Sequence, residues 1–260
     1  MSRSTLGLPI ALALLISTPA SLLAASFTPL GVLPGGQFTT AHGLSADGST
    51  VVGNASLGAG EVGNEAFRWD AVRGLQRLGD LPGGPFHSNA QAISADGHFV
   101  VGHGRTERGP QAFRWDAVHG MRALGELPGV GSRSVAQAVS ADGSTVVGYV
   151  IDDGDDDSRE AFIWSERSGM QALDVVLASL GIDLNGWRLT DAVGISDDGR
   201  TIAGSGRSPG GRTEAWIAVV PEPGTAILLG LSLMGLAIHG RSASSVTARR
   251  RQADSSPVVT

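Results

Sequence analysis

The chain contains four copies of one sequence unit, and this repetition restricts the possible folds more than any other feature. A serine that precedes an Asp-Gly pair marks the copies, at Ser45, Ser94, Ser140 and Ser196, with spacings of 49, 46 and 56 residues. Repeats of this length indicate a fold of successive similar units, because each unit buries its apolar side against the next. We therefore consider repeat architectures before any single-domain fold.

Each unit contains four short segments with strand character. In the second copy these segments are Ala90–Ser94, Phe99–Gly102, Gln111–Trp115 and Gly120–Gly125. An Asp-Gly pair joins the first two, and we interpret it as a two-residue hairpin turn, not a metal site. Phe113 and Trp115 alternate with other residues and share one strand face. Since such a pair recurs in the units, we predict that it packs one unit on another and does not stack on a ligand.

Four strands in about 49 residues match one blade of a β-propeller. The segment Phe27–Gly31 resembles the fourth strand of a unit, and the last unit stops after its third strand at Ala218. We therefore predict an all-β, four-bladed propeller-like ring in which the N-terminal strand completes the last blade. An open β-solenoid and an irregular β-sandwich are the alternatives, and residues 175–187 suggest a helical turn in the fourth unit.

The repeated segments, including Leu78–Gly84 and Gln111–Asp116, resemble those of HAF-repeat proteins, a family of bacterial extracellular proteins. The resemblance covers residues 27–220 and implies an extracellular repeat protein. It implies no particular reaction, because the family has no agreed biochemical activity.

Composition excludes several functions. The chain has a formal net charge of −6 and contains no lysine, so no nucleic-acid partner is expected. It has no cysteine, which removes disulfides and thiolate chemistry. The six histidines lack metal-binding spacing, and no catalytic motif occurs. We predict that the protein is not an enzyme and needs no cofactor; a secreted hydrolase with an active site at the propeller axis is the alternative.

Residues 1–26 have the pattern of a secretory signal peptide. Arg3 supplies the positive charge, Leu6–Ile16 is apolar, and Ala20–Ser26 is rich in small residues. We therefore predict export through the Sec translocon, with an uncleaved anchor as the alternative.

The C-terminal region combines three features in a fixed order. Pro221, Glu222 and Pro223 come first, an apolar segment at 226–238 follows, and Arg249, Arg250 and Arg251 come last. The apolar segment predicts a membrane helix, and the arginines would keep the repeats outside the cytoplasmic membrane. Residues 221–251 closely resemble the PEP-CTERM sorting signal. This resemblance implies an exosortase as partner and a host that makes exopolysaccharide; a permanent single-pass anchor is the alternative, and residues 252–260 form a short polar tail.

The segment Asp152–Asp157 departs most strongly from the repeat. Five carboxylates lie within six residues, and Asp153, Asp155 and Asp157 are candidate calcium ligands. A solvated acidic loop that binds no metal is the alternative, because the spacing of the carboxylates does not match an EF-hand. We expect ligand contacts in the variable loops 54–64, 104–110, 150–159 and 205–212. Together these features predict a structural or binding component of the cell surface or biofilm matrix that contacts polysaccharide or surface protein.

Overall fold

The computed structural model describes residues 25–58, 63–152 and 155–221, and strands and turns make up most of this part. Fifteen strands form four antiparallel sheets, one from each sequence unit. The first sheet contains β1 (Thr39–Leu44), β2 (Thr50–Ser56), β3 (Asn64–Asp70) and β4 (Gly74–Arg77). The second contains β5 (Ser88–Ile93), β6 (Val100–Thr106), β7 (Gly109–Asp116) and β8 (Gly120–Ala123). The third contains β9 (Arg133–Val139), β10 (Thr145–Asp152), β11 (Asp155–Ser165) and β12 (Gly169–Ala172). The fourth contains β13 (Arg188–Ile195), β14 (Thr201–Arg207) and β15 (Thr213–Val219). The all-β prediction is confirmed.

The fourth sheet has three strands, so the prediction that Phe27–Gly31 completes it within one chain is wrong. These residues form no strand, and Phe27 is 90% exposed. The reason lies in the next residues, since Leu33 is buried against Ala55 and Phe67 of the first sheet and holds the segment there. Among the described strands, every extensive contact between sheets joins neighbours in sequence, so these residues do not close a ring within the chain.

Each sheet packs face to face on the next, and we call the face toward the preceding sheet the rear face and the opposite one the forward face. At the joint between the first and second sheets, Val52 and Ala66 of the forward face meet Val100 and Phe113 of the rear face. The pattern recurs at the next two joints. Phe113 is fully buried, which agrees with the predicted role of the aromatic residues in packing unit on unit.

The turn after the first strand of each sheet is longer than the predicted two-residue hairpin. The amide of Gly48 donates to the carbonyl of Ser45, and the flanking residues Ser45 and Thr50 still bond across the turn. The Ser45 hydroxyl donates to Asp47 at 2.6 Å and accepts from the Thr50 amide at 3.0 Å. The side chains of Ser45 and Asp47 thus replace the backbone bonds of a tighter turn.

A glycine in the second strand of each sheet marks a close approach of the neighbouring first strand. A Cβ on Gly53 would lie 1.9 Å from the Thr40 carbonyl oxygen, where β1 carries a bulge. Gly102, Gly148 and Gly204 have equivalent contacts at 1.9–2.0 Å. Only glycine fits there, and the strand continues beyond it instead of ending as the pattern suggested.

The helical turn expected near the start of the fourth unit is present, but it begins earlier in the chain. Helix α1 spans Leu173–Ser179 directly after β12, and it buries Leu173 and Leu177 in the joint between the third and fourth sheets. The helix replaces the Leu-Pro-Gly linker that leads into the second and third sheets.

Candidate functional site

The antiparallel order gives the stack two different ends. The Ser-x-Asp-Gly turns lie at one end, where the Ala46 amide of the first sheet donates to the Ala95 carbonyl of the second. The connections between second and third strands lie at the opposite end, together with the linkers that lead from one sheet to the next. We call this opposite end the loop end. It carries the segments predicted to vary and to bind.

A wide, shallow depression of about 810 Å³ lies at the loop end between the second and third sheets. Its wall is the linker 126–132, and Arg108 from the β6–β7 turn faces it. The Arg108 guanidinium donates to the Glu126 carboxylate at 2.9 Å, and the Gln111 amide reaches the same oxygen at 3.4 Å. The depression therefore offers one cation, one anion and a short apolar stretch around Leu127.

Arg108 and Glu126 are both substantially exposed, with 70% and 45% of their side chains accessible. An ion pair so open to water contributes little to stability, typically about 0–1 kcal/mol. Both side chains can therefore exchange their mutual contact for a polar ligand at small cost.

A second polar group at the loop end contains His87, Asn89 and His103. The Asn89 amide nitrogen lies 3.1 Å from His87 Nε2 and 3.2 Å from His103 Nε2. The Asn89 amide nitrogen is thus placed to donate to one ring nitrogen of each histidine. Burial lowers the pKa of His103 to about 4, and the nearby His87 and His42 act in the same direction.

His103 is accordingly neutral at physiological pH, and its buried Nδ1 has no hydrogen-bond partner among the described residues. The spacing of the histidines along the chain does not reveal this group, because only the pairing of β5 with β6 places Asn89 beside His103. The signal was present in the repeat alignment, where His103 occupies the position of Asn54, Tyr149 and Ser205 in the other sheets. Within residues 25–58, 63–152 and 155–221, no three metal-ligating side chains converge.

The described residues of the candidate calcium segment belong to the β10–β11 hairpin. Strand β10 ends at Asp152, β11 begins at Asp155, and these two residues are paired. Asp155 and Asp157 belong to β11, whereas Asp153 lies outside the described residues. Residues 150–152 and 155–159 of the predicted variable loop thus belong to strands, although the register of β10 and β11 shifts between Ile151 and Asp152.

The predicted sorting signal begins where the described part of the chain ends. Val220 is buried in the joint between the third and fourth sheets, and Pro221 borders a cavity of about 410 Å³ beside α1. Glu222, Pro223, Arg249, Arg250 and Arg251 lie outside the described residues, as do the predicted membrane helix at 226–238 and all but the last two residues of the predicted signal peptide at 1–26. Among the described helices, none has the length and apolar character needed to cross a bilayer.

Comparison with known structures returns a distant similarity. The structure of putative TolB from Agrobacterium tumefaciens aligns with a TM-score of 0.46 and 18% identity over 71% of this chain. The aligned part covers 58% of that chain, so the present chain spans less than two thirds of its length. A search of curated proteins gives no match.

Comparison with protein families gives a match at the C-terminal end. Residues 219–242 match the model of the PEP-CTERM protein-sorting motif, which agrees with the resemblance noted in the sequence and begins two residues earlier, inside β15. The chain thus carries a PEP-CTERM protein-sorting motif, which indicates an exosortase-sorted protein of the cell surface or the extracellular space.

Proposed function

We propose that the repeat region acts as a non-enzymatic structural or binding component of the exopolysaccharide or biofilm matrix, and that its loop end contacts polysaccharide or surface protein. The observation that carries this proposal is the sorting motif at 219–242 joined directly to an all-β repeat stack. The shallow depression at Arg108 and Glu126 supports a binding role, since an open polar groove suits an extended chain better than a small substrate.

The test uses the processed protein recovered from the surface of exporting cells. We expect binding on a glycan array or in a pull-down of matrix polysaccharide, and a loss of at least fivefold in Arg108→Ala. Arg122→Ala removes an exposed arginine at the other end of the stack and is the matched control. Absence of binding in both assays would refute the matrix role.

We further propose that the Sec translocon and an exosortase are the export partners, and that the apolar segment 226–238 holds the protein in the membrane until sorting. Mass spectrometry of the mature termini is the test. We expect loss of residues 1–26 and of the arginine-rich end, and retention of that end when Pro221, Glu222 and Pro223 are replaced by alanine. A mature protein that still ends at Thr260 would instead indicate a permanent anchor.

A propeller-like arrangement of the four sheets would bring their loop ends into one broad surface. The HAF-repeat resemblance agrees with an extracellular role. Calcium binding at Asp153, Asp155 and Asp157 is tested by calorimetry, with Asp153→Ala and Asp155→Ala as the variants. The hydrolase alternative loses its basis if a broad substrate screen with the same preparation shows no turnover.

A further inference from the structure

The two outermost faces of the stack resemble the two faces that meet at each internal joint. Three joints occur inside the chain, and in each a forward face packs on a rear face. Among residues 25–58, 63–152 and 155–221, no sheet precedes the rear face of the first sheet and none follows the forward face of the fourth. Comparison of equivalent positions in the four units shows which residues of these two faces are left exposed.

Positions on the rear face that are buried in the second sheet are exposed in the first sheet. Ile93 is 9% exposed in the second sheet, whereas the equivalent Leu44 of the first sheet is 59% exposed. Ala90 is fully buried, whereas its equivalent Ala41 is exposed. Leu33 covers Ala55 and Phe67 of this face, but the apolar surface at Ala41 and Leu44 has no covering partner among the described residues.

The forward face of the fourth sheet shows the same change. Val52, Val101 and Val147 are fully buried at their joints, whereas the equivalent Ala203 is exposed. Ile217, which corresponds to the half-buried Ile163, is 72% exposed. This face is apolar, and no described residue covers it.

The segment that precedes the first sheet already has the geometry of a linker between sheets. In the second sheet the Ser88 hydroxyl donates to the Gly79 carbonyl at 2.6 Å and accepts from the Ala66 amide of the preceding sheet at 3.0 Å. In the first sheet the Thr39 hydroxyl donates to the Gly31 carbonyl at 2.8 Å. Thr39 is thus oriented like Ser88 to receive an amide from a preceding sheet.

We propose that a second copy of this chain occupies these faces, with the forward face of the fourth sheet of one copy packed on the rear face of the first sheet of the next. A second copy fits because one free face is a rear face and the other is a forward face, the same two kinds of face that meet at the three internal joints. In addition, the Thr39 hydroxyl corresponds to the Ser88 hydroxyl, which accepts a hydrogen bond from the preceding sheet at an internal joint. The contact joins two different surfaces, so it is head-to-tail. Two copies in mutual contact make a ring of eight sheets, and unclosed contacts make a chain of copies.

The absence of cysteine in the native sequence permits a clean cross-linking test with the full chain. At the internal joints, Ile93 shares a core cluster with Val52, and Ile195 with Val147. The corresponding intermolecular pair is Leu44 with Ala203. We therefore expect Leu44→Cys and Ala203→Cys proteins, mixed under mild oxidation in a gentle detergent, to form at least five times more disulfide-linked dimer than either alone.

The matched control is a mixture of Val72→Cys and Val118→Cys, two exposed positions on turns between third and fourth strands. A yield no higher than this control overturns the proposal. So does the double variant Leu44→Cys/Ala203→Cys if its disulfide forms within single chains, because closure would then be intramolecular.

A second test places a charge on the forward face. The Ile217→Cys protein should cross-link to the Leu44→Cys protein, and adding Ala203→Asp to Ile217→Cys should abolish this cross-link without changing the circular dichroism spectrum. An equal yield with and without Ala203→Asp would also refute the proposal.

Discussion

At the residue scale, most polar side chains in the joints have a specific partner. Arg114 is the clearest case, since it is 7% exposed and lies between the rings of Phe99 and Trp164, at 4.8 and 5.1 Å from their centroids. Its guanidinium donates to the Gly143 carbonyl and to Glu166. A buried charge with these contacts stabilises the joint between the second and third sheets.

We expect Arg114→Ala to lower the free energy of unfolding by about 2–4 kcal/mol, because it removes the ring contacts and leaves the Gly143 carbonyl without its donor. Arg114→Ile should cost less, since Ile163 occupies the equivalent position in the third sheet. Urea unfolding followed by tryptophan fluorescence measures both. Arg122→Ala is the exposed control, and equal stability of Arg114→Ala and this control would contradict the expectation.

His103 makes stability depend on pH above the range of the carboxylates. Its pKa is lowered from 6.5 to about 4 in the folded protein, so the unfolded chain takes up a proton first as the pH falls. Stability should therefore decrease from pH 6.5 to pH 4, by at most about 3 kcal/mol. His103→Asn, which introduces the residue of the first sheet, should flatten this slope in urea unfolding measured between pH 7 and pH 4. An unchanged slope in His103→Asn would assign the effect to other groups.

At the element scale, the turns between first and second strands resemble one another in backbone but differ in their surroundings. Gly48 and Gly143 both have a φ of +71°, a conformation that favours glycine. A Cβ on Gly48 would have no neighbour within 4 Å, whereas on Gly143 it would lie 2.1 Å from the Phe99 ring. The joint between the second and third sheets thus includes the turn as well as the strands.

The two glycines allow backbone strain to be separated from packing. Gly48→Ala should cost about 1–2 kcal/mol, the cost of a left-handed conformation for alanine. Gly143→Ala should cost about 3 kcal/mol or more, because Phe99 is also held by Arg114 and must move. Thermal and urea unfolding of the two variants provide the comparison, and equal losses would mean that Phe99 relaxes freely.

At the scale of the whole molecule, the four Ser-x-Asp-Gly turns all make the stability of the fold sensitive to acid. Hydrogen bonds from Ser45, followed by those from Ser49, lower the pKa of Asp47 from 3.8 to about 2. At Asp96 and Asp142 burial opposes the shift, but hydrogen bonds still lower the pKa. Asp198 is lowered chiefly by its bond from Ser196. All four carboxylates therefore favour the folded state when ionised.

The contribution of these four aspartates to the free energy of unfolding should be fully present above about pH 4. It should be lost as the pH decreases toward 2, because the unfolded chain binds protons first. Asp47→Asn should reduce the steepness of this loss, and each further turn variant should reduce it again. Urea titrations between pH 5 and pH 2 measure the effect, with Glu107→Gln, an exposed carboxyl of the β6–β7 turn, as control. A profile unaffected by Asp47→Asn would remove the turns from the explanation.

The sequence by itself determined the repeat, the four units, the approximate positions of the fifteen strands and the sorting motif, since local periodicity and short motifs are properties of consecutive residues. Only the tertiary structure decided what depends on distant contacts. It showed that Leu33 holds the N-terminal segment on the first sheet, that Gly53 accommodates a carbonyl of the neighbouring strand, and that His103 lies beside Asn89. The free faces at Leu44 and Ala203 also became visible only there, because an apolar residue in a strand pattern looks the same whether or not another sheet covers it.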